Sequence, residues 1–259
     1  MEESRAYWDR RAPTFAGHCG QGAYVEGFLR RLALRGDESI LDMGCGSGTF
    51  AVPLARAGHK ALACDFSEKM IEQVRLRADA EGLDIASRVM AWEDDWTRFG
   101  LDENCVDVAI ASRSIGMSDL ADCLRKLDWV ARERVAVTVS AGMAPARDES
   151  LRAALGRAGE KPRAVIDVLE QLGEMGRFGE VSYLSHRRPM HFADRDEGLA
   201  ELRRMAGQEP FTSQEEQAFE AYVAAHYVQG ECDGETFWEL DYPLIVTWAL
   251  VIWKTDGSI

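Results

Sequence analysis

One stretch constrains this chain most: Ile40, Leu41 and Met43 read as a buried strand, Gly44, Gly46 and Gly48 as a turn, and Thr49 to Ala57 as a helix stopped by Gly58. Apolar residues on both sides of a short strand suit a parallel sheet covered on both faces. Glycines at alternate positions permit positive φ and leave no Cβ between the backbone and a ligand. The helix that follows points its free N–H groups and partial positive charge at whatever fills the turn, so a carboxylate or phosphate suits that place.

The spacing narrows the ligand. In the dinucleotide fingerprint G-x-G-x-x-G the third glycine would fall at Thr49, one residue beyond Gly48, and this disfavours a pyrophosphate. Asp42, two places before the first glycine, repels a diphosphate and attracts an ammonium group. The second strand, Lys60 to Cys64, ends in Asp65, 21 residues beyond Gly44, where a carboxylate can accept both hydroxyls of an adenosine ribose. The pocket asks for a ribose and an amino acid.

Leu41 to Gly48, followed by Ala63-Cys64-Asp65-Phe66-Ser67-Glu68-Lys69-Met70, resembles the class I S-adenosylmethionine-dependent methyltransferases. The resemblance is clear over residues 37–141. It implies an α/β fold with a doubly wound, mostly parallel seven-stranded sheet whose last strand is antiparallel, and S-adenosyl-L-methionine as cofactor with S-adenosyl-L-homocysteine as product. It places Asp42, Gly44, Cys45 and Gly46 around the methionyl part, Asp65 on the ribose hydroxyls, and Phe66 and Met70 among the residues at the adenosine. In that family the loop after the third strand receives the adenine, which makes Trp92 a stacking candidate and Glu93 and Asp94 candidate acceptors of its amino group. Ser112 ends the fourth strand, where the methyl group should lie. The N/D-P-P-Y/F tetrad of enzymes that methylate amide or base nitrogens is replaced here by Ser112-Arg113-Ser114-Ile115, which argues against that subclass.

At 259 residues the chain can bury a full core without staples. Its net charge of −14 disfavours nucleic acid as a partner and favours a small-molecule substrate. Six scattered cysteines without C-x-x-C, and an acidic start at Glu2 and Glu3, point to a reducing cytoplasm. The longest apolar run, Leu244 to Trp253, is too short to cross a bilayer and reads as a core strand, so no membrane partner is expected. A homodimer is compatible with all of this.

The remaining segments alternate in the order that a doubly wound sheet requires. Residues 1–36 form an expected helical lid, with helices over Glu2 to Arg11 and Ala23 to Leu34 and with Trp8 and Phe15 placed either to contact the cofactor or to pack in the core. Residues 37–143 are the cofactor-binding core, with Ser67 and Ser118 as helix caps and strands at Ile85 to Ala91, Cys105 to Ala111 and Arg134 to Ser140. Residues 144–180 form a helical insertion that should cover the substrate. Residues 181–259 complete the sheet, with a strand over Val181 to Met190, helices over Glu197 to Ala206 and Thr212 to Val228, and the last strand. Thr212 with Glu215 makes a capping box.

Methyl transfer from a sulfonium needs alignment more than a catalytic side chain. An acceptor that must lose a proton would need a base, and His18, His186, His191 and His226 can supply one. Arg113 is placed either to bind an anionic substrate or to pair with a structural carboxylate among Glu93 to Asp95. Tyr222 and His226 share a helical face. No metal site is expected, because the histidines and cysteines lack ligand spacing. Two other readings stay open: a nicotinamide-dependent oxidoreductase, and a non-catalytic protein that binds S-adenosylmethionine.

Overall fold

The computed structural model describes residues 2–15, 21–115, 119–142, 147–157, 163–188, 190–207, 209–232 and 235–258. His18 and Ser118, like the side chain of Phe15, lie outside the described residues.

The elements run in the order α1 (Glu2–Phe15), α2 (Gln21–Leu32), β1 (Ser39–Met43), α3 (Ala51–Arg56), β2 (Lys60–Asp65), α4 (Glu68–Glu81) and β3 (Ile85–Val89). A short 3-10 turn, Trp96–Phe99, precedes β4 (Val106–Ser112), α5 (Leu120–Val130), β5 (Ala131–Ser140), α6 (Glu149–Ala154), α7 (Ala164–Glu174) and β6 (Glu180–Arg188). Then come α8 (Arg195–Ala206), α9 (Ser213–His226), β7 (Tyr227–Cys232), β8 (Glu235–Leu240) and β9 (Leu244–Lys254).

Seven strands form one sheet in the order β3-β2-β1-β4-β5-β9-β6, six of them parallel and β9 antiparallel. Strand order reverses between β1 and β4, so a crevice opens at their carboxyl ends, where open α/β sheets hold their ligands. The register sets Met43 beside Cys64 and Asp65 beside Val89, which brings the ends of β1, β2 and β3 level. The strands are apolar because they are covered on both faces: Ile40, Leu41, Val108, Ala109 and Ile110 are all fully buried. Phe28 and Tyr24 of α2 pack with Phe50, whose ring centre is 4.5 Å from that of Phe28, and so tie the helix to the glycine turn.

Local signals hold where they are strong. Ser67 caps α4 by accepting from Met70 N–H, and Gly82 ends that helix in the left-handed conformation. Thr212 and Glu215 form the expected capping box on α9. Three expectations need correction. The cap of α5 is Asp119, whose side chain accepts from Asp122 N–H, so the helix has its acceptor without Ser118. β5 begins at Ala131, directly after α5, three residues earlier than its apolar run suggests. The helix expected over Thr212 to Val228 stops at His226, and Tyr227 opens a β-hairpin of β7 on β8 that periodicity alone does not reveal.

The chain divides into two compact units. The first holds Met1–Val139, Ala164–Leu184 and Trp248–Ile259, and the second holds Ser140–Arg163 and Ser185–Thr247. The first contains the glycine turn. The second has its own core, in which Leu151, Leu202, Met205, Phe219 and Leu240 are buried together. Among the described residues no helix is long and apolar enough to cross a membrane.

Candidate functional site

In the first unit, Gly44, Gly46 and Gly48 all take positive φ, +74°, +55° and +86°. Gly44 and Cys45 donate their N–H groups to Cys64 O at 2.8 and 3.0 Å, which pins the turn to the end of β2. Ser114 closes it from the other side, donating its hydroxyl to Met43 O at 2.8 Å. A Cβ at Gly44 would stand only 2.2 Å from Ser114 Cβ. The turn is thus clamped between β2 and the end of β4, and only glycine fits there.

Two carboxylates are buried at this turn. Asp42 is 1% exposed and accepts from Ala51 N–H at 3.2 Å, so it satisfies the first turn of α3 from nine residues away. Asp65 is 6% exposed and accepts from Gly46 N–H and from Ser67 N–H, each at 2.9 Å. Among the described residues neither carboxylate has a lysine, arginine or histidine partner. Burial, reinforced by the neighbouring charge of Asp65 and only partly offset by Ala51 N–H, pushes the Asp42 carboxyl up to about 7. Burial also raises Asp65 against the backbone N–H groups of Ser67, Gly46 and Phe66, and Asp9 adds to the rise. Two buried carboxyl groups with backbone donors and no cation form a place that a positively charged ligand would complete, since it would favour their charged forms.

Asp42 makes the ligand-free protein sensitive to pH in a definite direction. Its folded pKa lies above its unfolded one, so its contribution is whole below the unfolded value and is lost as pH rises through about 7. Asp42→Asn should remove this dependence. Denaturant unfolding between pH 4 and 7.5 should show the wild type losing stability relative to the variant by up to the order of 4 kcal/mol. Parallel curves would mean that Asp42 is ionised throughout.

The other predicted residues take the following places. Phe66 follows Asp65 and is half-buried, while Met70 is buried in the first turn of α4. Met90 N–H donates to Asp65 O, so the segment leading to Trp92, Glu93 and Asp94 leaves the sheet next to Asp65. Trp92 is buried against Trp96 with ring centres 5.6 Å apart, and Asp94 accepts from Ala91 N–H at 2.8 Å to close its own loop. Glu93 is exposed. Cys45 is buried, and burial together with the carboxylates of Asp42 and Asp65 holds its thiol well above the ordinary value. Ser112 Oγ is 2.7 Å from Tyr24 Oη, which also meets Thr138 Oγ1 at 2.8 Å. Arg113 does not pair with Glu93, Asp94 or Asp95; its guanidinium lies over the rings of Tyr24 and Trp248.

His186, His191 and His226 all belong to the second unit. His191 pairs with Glu239, and His226 meets Asp241 at 3.1 Å with its ring centre 4.8 Å from that of Tyr222, so the shared helical face is present. Several residues near the turn escaped the sequence reading. Asp9 of α1 accepts from Ser67 Oγ at 2.5 Å, and Tyr24 and Thr138 meet across 114 positions of sequence. No local pattern marks such pairs. A groove of about 560 Å³ lies at the opposite, amino-terminal ends of β4 and β5. Its Arg132 and Arg177 are already paired with Asp107 and Asp128, so it offers closed ion pairs rather than a ligand set. Among the described residues no three His, Cys, Asp or Glu side chains are grouped to hold a metal ion.

Comparison with known proteins bears on the same region. Residues 40–134 match a family described as a methyltransferase domain. An uncharacterised protein of Haemophilus influenzae is 35% identical over 153 residues, 58% of this chain and 55% of its own length. A ubiquinone biosynthesis O-methyltransferase of Xanthomonas euvesicatoria is 27% identical over 124 residues, 48% of this chain and 45% of its own. The chain thus aligns with about half the length of these two relatives. A Bacillus halodurans structure described as a methyltransferase shares the fold with a TM-score of 0.58 at 14% identity, over 90% of this chain and 99% of that one.

Proposed function

We propose that this chain, whose residues 40–134 match a methyltransferase domain, is a class I methyltransferase that transfers a methyl group from S-adenosylmethionine to a small-molecule acceptor. The observation that carries the reading is the pair of buried, cation-free carboxylates at a left-handed glycine turn. An adenosyl amino acid with an ammonium and a sulfonium centre matches both the charge and the shape of that place. When bound, it supplies an electrophilic methyl group for in-line displacement.

The chain's own residues bind, orient and exclude water. Gly44 and Gly46 let the ligand lie against the backbone. Asp65 accepts from Gly46 N–H and Ser67 N–H in this structure, and the lone pairs that remain would take the ribose hydroxyls. Asp42 adds negative charge beneath the turn. Phe66, Met70 and Trp92 would flank the adenine, with Glu93 or Asp94 accepting from its amino group, and Cys45 would shape the turn against the methionyl part. Ser112 would face the methyl group at the end of β4. The glycine spacing and Asp42 oppose a nicotinamide diphosphate in the same place.

Incubation of the chain with S-adenosylmethionine and a panel of small hydroxyl, thiol, amine and carboxylate compounds tests the reading, with S-adenosylhomocysteine release as the readout. Release that depends on one acceptor is the expected result. Binding without release on any acceptor would favour a non-catalytic role, and NADH turnover would favour an oxidoreductase.

A further inference from the structure

We infer that Arg113 and Trp248 form an oxyanion subsite beside the glycine turn, and, resting on the methyltransferase reading, that the methyl acceptor carries a carboxylate or phosphate group. Both residues belong to the first unit. Arg113 follows the last residue of β4 and takes φ of +59°, a left-handed conformation that a side chain adopts only at a cost. Its backbone N–H holds it there by donating to Thr138 O at 3.3 Å and Thr138 Oγ1 at 3.1 Å. Glycine would relieve that cost, yet an arginine stands at this position.

The guanidinium carbon lies 4.8 Å from the centre of the Tyr24 ring and 5.8 Å from that of Trp248. Tyr24 is itself fixed by the hydroxyls of Ser112 and Thr138, so the cation rests on a positioned face. Among the described residues the guanidinium has no carboxylate or carbonyl partner. The Trp248 Nε1–H is buried and, among the described residues, has no acceptor. Two donor groups at one place therefore lack an acceptor, and leaving a buried donor unpaired is costly. A planar oxyanion would satisfy both, because the guanidinium fork matches a carboxylate or phosphate. Ser114, the next residue, is the one that packs on Gly44, so the subsite adjoins the turn assigned to the methionyl group.

The test uses the full chain labelled with 15N, at constant ionic strength, and follows the indole N–H signal that Trp248→Phe removes. Titration with inorganic phosphate or with acetate should move that signal saturably, while neutral acetamide should not. The anion that acts separates a phosphate-bearing acceptor from a carboxylate-bearing one. Arg113→Gln should weaken the response about tenfold or more, as loss of a charged hydrogen bond requires. Arg113→Gly, which escapes the left-handed cost, should melt at or above the wild-type temperature and still lack the response. No saturable movement with either anion, or an equal response in both variants, overturns the subsite. Binding of S-adenosylhomocysteine is measured separately and should be unchanged in Arg113→Gly; its absence in the wild type would remove the methyltransferase reading while leaving the anion response as it is.

Discussion

Gly44→Ala is expected to abolish detectable binding of S-adenosylhomocysteine and to destabilise the first unit. A Cβ at this position would stand 2.2 Å from Ser114 Cβ and 2.6 Å from its Oγ, and real Cβ atoms do not approach so closely. The obstruction is next to the backbone, so no rotamer change at Ser114 removes it. Either the turn moves away from β4 or the end of β4 moves away from the turn. The φ of +74° adds the left-handed cost, roughly 1–2 kcal/mol, and the overpacking adds about 1–3 kcal/mol. Denaturant unfolding should register the sum, and calorimetry the loss of binding. Ser114→Gly in the same chain should restore part of the stability, because it clears the Cβ and Oγ but leaves the φ. Wild-type stability and affinity in Gly44→Ala would mean that the turn is not clamped as described.

Asp65→Ala should have the second-largest effect, and of a different kind. In the ligand-free protein the carboxylate joins Gly46 N–H to Ser67 N–H, linking the glycine turn to the start of α4. Alanine leaves two donors unpaired, which costs about 1–3 kcal/mol each if they stay buried. Binding should weaken by a further 1.5–3 kcal/mol or so, since hydrogen bonds from the ribose hydroxyls to a charged group are lost. The cost in stability and the cost in affinity separate cleanly. Asp65→Asn can still accept from one N–H, so it should recover much of the stability and less of the affinity. Unchanged affinity in Asp65→Ala would take this residue out of the site.

Most of the sheet unit was legible because its signals are local. The strands at Ile40–Met43 and Val106–Ala111 are apolar runs that the fold covers on both faces, and Ser67, Gly82 and the Thr212–Glu215 box mark helix ends within a few residues. The glycine turn announced itself in the same way. What was missed is non-local. The sequence marks Asp42 as an attractor for a ligand cation, but its contact with Ala51 N–H depends on how the turn folds back across nine residues. Asp9 meets Ser67 across 58 positions, and Tyr24 meets Ser112 across 88, because α1 and α2 return to the sheet. The β7–β8 hairpin did carry a signal, the Asp233-Gly234 dipeptide, but the apolar residues Tyr227 and Val228 extend the helical pattern of α9 and hid the change of period.

The most direct measurement is a calorimetric titration of the full chain with S-adenosylhomocysteine, run in parallel with NADH. Saturable one-to-one binding of the sulfur compound, weakened in Asp65→Ala and matched by no heat from NADH, is the expected outcome. Saturation by NADH, or a flat trace with S-adenosylhomocysteine on folded protein, would contradict the assignment of Asp42, Asp65 and the glycine turn to an adenosyl amino acid.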